Sequence, residues 1–235
     1  MLVAGFPAGA WGTNCYVVAP APGEQCVVVD PGHEAADGVA DLVREHRLQP
    51  VAVLLTHGHV DHTFSVVPVC GRYGVPAYIH PADRHQLADP GSGLGLAPGQ
   101  AVMPGITFSE PDDVVELTGH DTITLAGIDL TVEHAPGHTR GSVTFRVEHE
   151  VLFSGDLLFQ GSIGRTDLPG GSYDEILDSL ARVILPLPDE LLVLSGHGAT
   201  TTVGAERAAN PFLAEAIART AGVIGAGPAA PARGW

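Results

Sequence analysis

The stretch Thr56-His57-Gly58-His59-Val60-Asp61-His62 sets three imidazoles and a carboxylate within six positions, directly after the apolar run Val51–Leu55. Neutral imidazole and carboxylate are the ligand types that suit zinc and its first-row neighbours. In extended backbone, residues two apart project to the same side, so His57 and His59 can meet at one ion. Asp61 and His62 fall where the chain turns into a helix and reach a second point nearby. Such a loop needs a firm base. Val51–Leu55, with no polar residue, reads as a strand buried on both faces, which calls for a sheet covered on either side.

The rest of the chain supplies that sheet. Residues 13–19 and 25–30 read as two strands joined by the Pro/Gly turn Ala19–Gly23, the second ending in Asp30-Pro31-Gly32. Helical periodicity runs over 34–47, and 62–73 reads as one helix ending at Gly74. A strand at 75–79 and a turn at His80-Pro81-Ala82-Asp83 opening a short helix come next. Residues 89–105 are Gly/Pro-rich and aperiodic, a candidate flap over a substrate. Strands are expected at 122–125, 130–133, 142–147, 151–153 and 191–195, with helices at 173–184 and 203–209. Residues 1–221 form one expected domain, and the Gly/Ala/Pro-rich tail 222–235 is expected to lack fixed structure.

Three further turns end strand-like runs in a ligand-type residue beside glycine: Pro136-Gly137-His138, Ser154-Gly155-Asp156 and Ser195-Gly196-His197. Alone, each reads more simply as a hydrogen-bonded turn. Placed at the ends of separate strands after the first loop, they point to one shared cleft.

Charge narrows the function. The chain carries 27 acidic and 11 basic residues, all arginine, for a net charge of −16. That balance argues against nucleic acid as a partner. No apolar stretch reaches membrane-spanning length and no secretory leader is evident. Cys15, Cys26 and Cys70 are an odd set without CxxC spacing, which fits buried thiols in a reducing, cytoplasmic setting. Cys15 and Cys26 lie in adjoining strand-like runs and are candidates for close approach. His33, His46, His80, His85, His120, His134 and His149 read as surface or satisfied polar residues.

Together, the four His/Asp stretches resemble the metallo-β-lactamase superfamily over residues 10–212, and within it the short, bacterial type of the glyoxalase II-like (hydroxyacylglutathione hydrolase-like) branch. The resemblance implies an α/β fold, an αββα sandwich of two mixed β-sheets flanked by helices. It implies one metal on His57, His59 and His138, a second on Asp61, His62 and His197, and Asp156 bridging them. Asp30 would buttress the metal loop from behind. Gly164-Arg165-Thr166-Asp167 also resembles this branch and the persulfide dioxygenases, which makes Arg165 a candidate substrate contact; Tyr173 is another candidate pocket residue. The implied cofactors are two divalent ions, Zn2+ first, with Fe or Mn as alternatives.

The implied activity is hydrolysis of a small-molecule thioester by hydroxide that the metal pair makes from water near neutral pH. Asp61 is the candidate acceptor of that water's proton. A thiolate leaves readily, so no strong general acid is required. Lys is absent, and with it the basic grip that longer glyoxalase II enzymes place on glutathione carboxylates. The rival reading is a mononuclear iron persulfide dioxygenase on His57, His138 and Asp156, or a lactonase of the same superfamily.

Overall fold

A computed structural model describes residues 1–97, 99–147 and 149–222. The first sheet comprises β1 (Leu2–Ala8), β2 (Thr13–Ala19), β3 (Gln25–Val29), β4 (Gln49–Leu54), β5 (Ala77–Ile79) and β6 (Val114–Glu116), in that order. Its first three strands are antiparallel; β3 through β6 run parallel. The second comprises β7 (His120–Leu125), β8 (Ile128–His134), β9 (Val143–Val147), β10 (Val151–Gly155), β11 (Leu192–Ser195) and β12 (Thr201–Thr202), ordered β12-β11-β10-β9-β8-β7 with only β10 and β11 parallel.

Strand alternation divides the apolar residues among three cores. Val18, Val27, Val29, Ala52 and Leu54 face Leu130, Val132, Phe145 and Phe153 between the sheets. The intervening Val17, Val28, Val53 and Leu55 face outward onto α1 (Ala35–His46) and the helices α2 (Val60–Thr63) and α3 (Val66–Tyr73). The small helices α4 (Pro81–Arg84) and α5 (Pro90–Gly93) follow on the same half. Beyond the second sheet, Leu152 and Val193 meet α6 (Tyr173–Ser179), α7 (Val203–Ala209) and α8 (Pro211–Thr220). Each fully buried Val, Leu or Phe contributes roughly 1.5–3 kcal/mol, so a strand with two buried faces is held far more firmly than an edge. β4 is such a strand over 52–54, and Leu55 just past its end is buried too, as the apolar run 51–55 predicts. The expected sandwich of two mixed sheets flanked by helices is the fold this chain forms.

Four details depart from the sequence expectation. The stretch 62–73 is two helices, not one, because Ser65 leaves helical geometry: its N–H donates to Pro31 O (2.9 Å) and its Oγ accepts from Ala35 N (3.0 Å). β1, β6, β12 and α8 lie outside the expected elements. β1 contains Gly5 and Pro7, which weaken a strand signal and are tolerated at an edge. Cys15 and Cys26 do not approach: antiparallel pairing of Tyr16 with Val29 and Val18 with Val27 carries them to opposite ends, and both are free buried thiols. The aperiodic segment 89–105 contains α5, and the tail from 223 lies outside the described residues.

Candidate metal centre

The centre forms where strands of both sheets stop. β3 ends at Asp30, a buried residue at φ 48°, and β4 delivers the loop that starts at Thr56. Asp30 accepts from the Thr56 backbone N–H (2.8 Å) and hydroxyl (2.6 Å), and lies 2.9 Å from His62 Nδ1. Thr56 Oγ1 in turn faces His57 Nδ1 at 3.1 Å. One carboxylate thereby sets the outer nitrogens of two imidazoles and turns their Nε2 atoms inward, the outer-ligand arrangement expected of a metal site.

The second sheet supplies three more groups from the loops after β8, β10 and β11. His138 donates Nδ1–H to Arg165 O (2.7 Å), which aims its Nε2 at the first loop. The turn requires Gly137: its φ is 131°, and a Cβ there would stand 2.2 Å from Ile176 N. Asp156 and His197 enter beside Gly196, where a Cβ would lie 2.2 Å from Asp156 Oδ1 and 2.5 Å from His62 Cε1.

Two sets of ligand atoms result. His138 Nε2 lies 2.8 Å from His59 Nδ1 and 3.2 Å from His57 Nε2. Asp61 Oδ2 lies 3.0 Å from His197 Nε2 and 3.5 Å from His62 Nε2. Asp156 stands between the sets, Oδ1 3.3 Å from His62 Nε2 and Oδ2 3.5 Å from His138 Nε2. Around a tetrahedral cation with bonds of about 2.0–2.1 Å, ligand atoms are separated by roughly 3.3 Å, close to these spacings. The fit has a second support: His62 Nε2 and Asp156 Oδ1 are buried and lack a well-formed hydrogen bond. The residues fit a pair of cations, with His57, His59 and His138 at one position, Asp61, His62 and His197 at the other, and Asp156 within reach of both.

Electrostatics agree. Burial and neighbouring imidazoles hold His57 well below its ordinary pKa, and burial with His138 pushes His59 down to about 3, so both stay neutral with lone pairs free. Burial raises the Asp61 and Asp156 carboxyls, but nearby imidazoles, His62 foremost, outweigh it and keep both ionised. Burial likewise opposes charge on His62, yet Asp156, Asp61 and Asp30 draw it toward imidazolium. These carboxylates thus favour a positive charge at its Nε2 that a bound cation would supply in place of the proton.

A buried Asp83 clasps the two halves. Its carboxylate accepts from Gly58 N (2.9 Å) of the first loop, and from Gly141 N (2.8 Å) and Thr139 Oγ1 (2.6 Å) beside His138. In sequence Asp83 only opens a short helix, and nothing local announces partners 56 and 58 residues on. Thr13, whose hydroxyl donates to Asp61 (3.2 Å), is equally silent. Arg165 does border the cleft, but its guanidinium grips Asp167 through two 2.8 Å bonds; its carbonyl is what serves His138. Tyr173 is not at the cleft: its hydroxyl donates to Glu215 (2.7 Å) and its ring packs on Phe212. Among the other histidines, His80 stacks on His134 and His33 sits between Trp11 and Phe64, all outside the ligand sets.

A model of the metallo-beta-lactamase superfamily matches residues 8–197, a span that begins at the end of β1 and stops at the last ligand-type histidine. The chain belongs to the metallo-beta-lactamase superfamily. It is 34% identical to hydroxyacylglutathione hydrolase GloC of Haemophilus influenzae over 214 residues, 88% of this chain and 96% of that one. The crystal structure of BLEG-1 B3 metallo-beta-lactamase superposes with a TM-score of 0.80 at 39% identity, covering 90% of this chain and 99% of that one. TTHA1623, solved in a di-iron-bound form, gives 0.73 at 36% identity, with 91% and 100% covered. No helix of the described residues is long and apolar enough to cross a membrane.

Proposed function

We propose that this metallo-beta-lactamase superfamily member is a binuclear metal-dependent hydrolase of small-molecule thioesters. The carrying observation is the convergence of two adjacent ligand sets on the shared carboxylate of Asp156, at the floor of a cleft of about 490 Å³. The likeness to the hydroxyacylglutathione hydrolase GloC supports the thioester class, and the di-iron form of TTHA1623 supports two ions. By donor chemistry the ions are zinc, with iron or manganese the competing occupants. Once bound, the pair supplies Lewis acidity and a hydroxide nucleophile at neutral pH.

The chain's own residues do the rest. Asp61, ionised and lining the cleft, is placed to take a proton from the attacking water. Thr13 donates to its Oδ2 and holds it in position. Asp30 and Thr56 keep His57 and His62 in the tautomers that present Nε2. No lysine or free carboxylic acid is placed to protonate a leaving group, and a thiolate needs none.

The test is metal content beside two assays: thiol release from two thioesters, S-lactoylglutathione and an S-acyl-N-acetylcysteamine, and oxygen uptake with glutathione persulfide. Two metals per chain with thioester cleavage is the expected result. A single iron with oxygen consumption would overturn it in favour of the mononuclear site that His57, His138 and Asp156 alone would satisfy.

A further inference from the structure

The walls of the cleft say which thioester. Five of its thirteen lining residues are ligand-type side chains on the floor. Of the remaining eight, seven are apolar, Trp11, Leu94, Val102, Phe159 and Leu168 the largest, and one, Arg165, is charged. Trp11 is anchored edge-on to Phe64, which meets Phe108 likewise, so this wall is backed by aromatic packing. Beyond Trp11 and Phe159 a second hollow of about 410 Å³ continues past His197 to Gln160 and Ala199, and this one has no carboxylate or guanidinium in its lining.

Away from the floor, charge on the substrate has a single charged side chain to meet. Arg165 is already held bidentately by Asp167. An exposed pair of that kind exchanges partners cheaply, so Arg165 can answer one carboxylate at most. Glutathione brings two. The other guanidinium nearby, Arg140, opens into a separate hollow with His85 and Ser92 that shares no wall residue with the metal cleft. A carboxylate laid against the apolar wall without a cation would lose its hydration and gain no partner.

Resting on the thioesterase reading above, we infer that the preferred substrate is a thioester of uncharged, apolar character around the scissile bond, not a glutathione conjugate. Trp11 and Phe159 on one side, and Leu94, Val102 and Leu168 on the other, take its apolar portion. Affinity then rises with apolar length, by about fourfold for each buried methylene.

Two non-hydrolysable thioethers with the same tail isolate the question: S-hexyl-N-acetylcysteamine, uncharged, and S-hexylglutathione. Binding to the metal-loaded protein is read from tryptophan emission, since Trp11 lines the cleft. The uncharged compound is expected to bind at least tenfold more tightly, and Val102→Arg, at a half-buried loop position, to narrow that ratio at least threefold. Equal or tighter binding of S-hexylglutathione to the unmodified protein would overturn the inference. Thioester turnover is scored separately: if neither uncharged nor glutathione thioesters are cleaved, the hydrolase reading fails, while the binding ratio still reports the wall.

Discussion

Asp30 never reaches the cleft, yet it receives both Thr56 donors and faces His62, so its loss would free two ligand imidazoles at once. Asp30→Ala should weaken metal binding by about 10–100-fold, the range for outer partners of metal ligands, with the far-ultraviolet spectrum unchanged; competition with a chromophoric chelator measures it. Thr56→Val should fall in the same range, because it strips a bond from Asp30 and one from His57. Asp156→Ala acts on both positions, and turnover should fall by about a thousandfold or more as the metal-bound nucleophile is lost, with metal content below two per chain by elemental analysis. At this scale the sequence is highly legible. Imidazole and carboxylate declare themselves by type, and all seven ligand-type residues converge. Arg165 and Tyr173 were less so, since a side chain's chemistry does not reveal that its carbonyl is the useful group or that a neighbouring helix has claimed its hydroxyl.

Five of the seven ligand-type residues sit in loops where a strand gives out, and Asp61 and His62 in the single turn of α2 that follows the first loop. Past a strand's end the backbone is free to turn side chains toward a common point. The elements that end so were readable from apolar runs closed by glycine. Elements that merely extend a sheet or cover it were not. β1 relies on pairing with β2 to offset Gly5 and Pro7, and β6 and β12 are too short to carry a pattern. α8 did carry one, with Asn210 accepting from Phe212 N and Pro211 in its first turn. The turn between β8 and β9, packed against α6, yields a prediction at this level. Gly137→Ala would drive a Cβ against the Ile176 backbone at a positive φ, and should cost about 2–4 kcal/mol in urea unfolding. Because the same turn carries His138, metal content per folded molecule should drop with it.

Across the molecule, one core of the three, that between the first sheet and α1 and α3, encloses every thiol. Cys26 and Cys70 are pushed up to about 12 by burial, and Cys15 well above its ordinary value by burial and Asp30. A thiol whose pKa is raised stays protonated below it, so at pH 8 only about one such group in ten thousand is thiolate. A disulfide reagent at that pH should find none of the three cysteines in the folded protein and all three after denaturation. The sandwich also has a hinge that does not bend. Since Asp83 answers to a loop from each sheet, the two lips of the cleft are moored to one post. Stripped of its cations, the protein should keep its gape, neither yawning nor slumping shut, and recharge as fast as ions diffuse in.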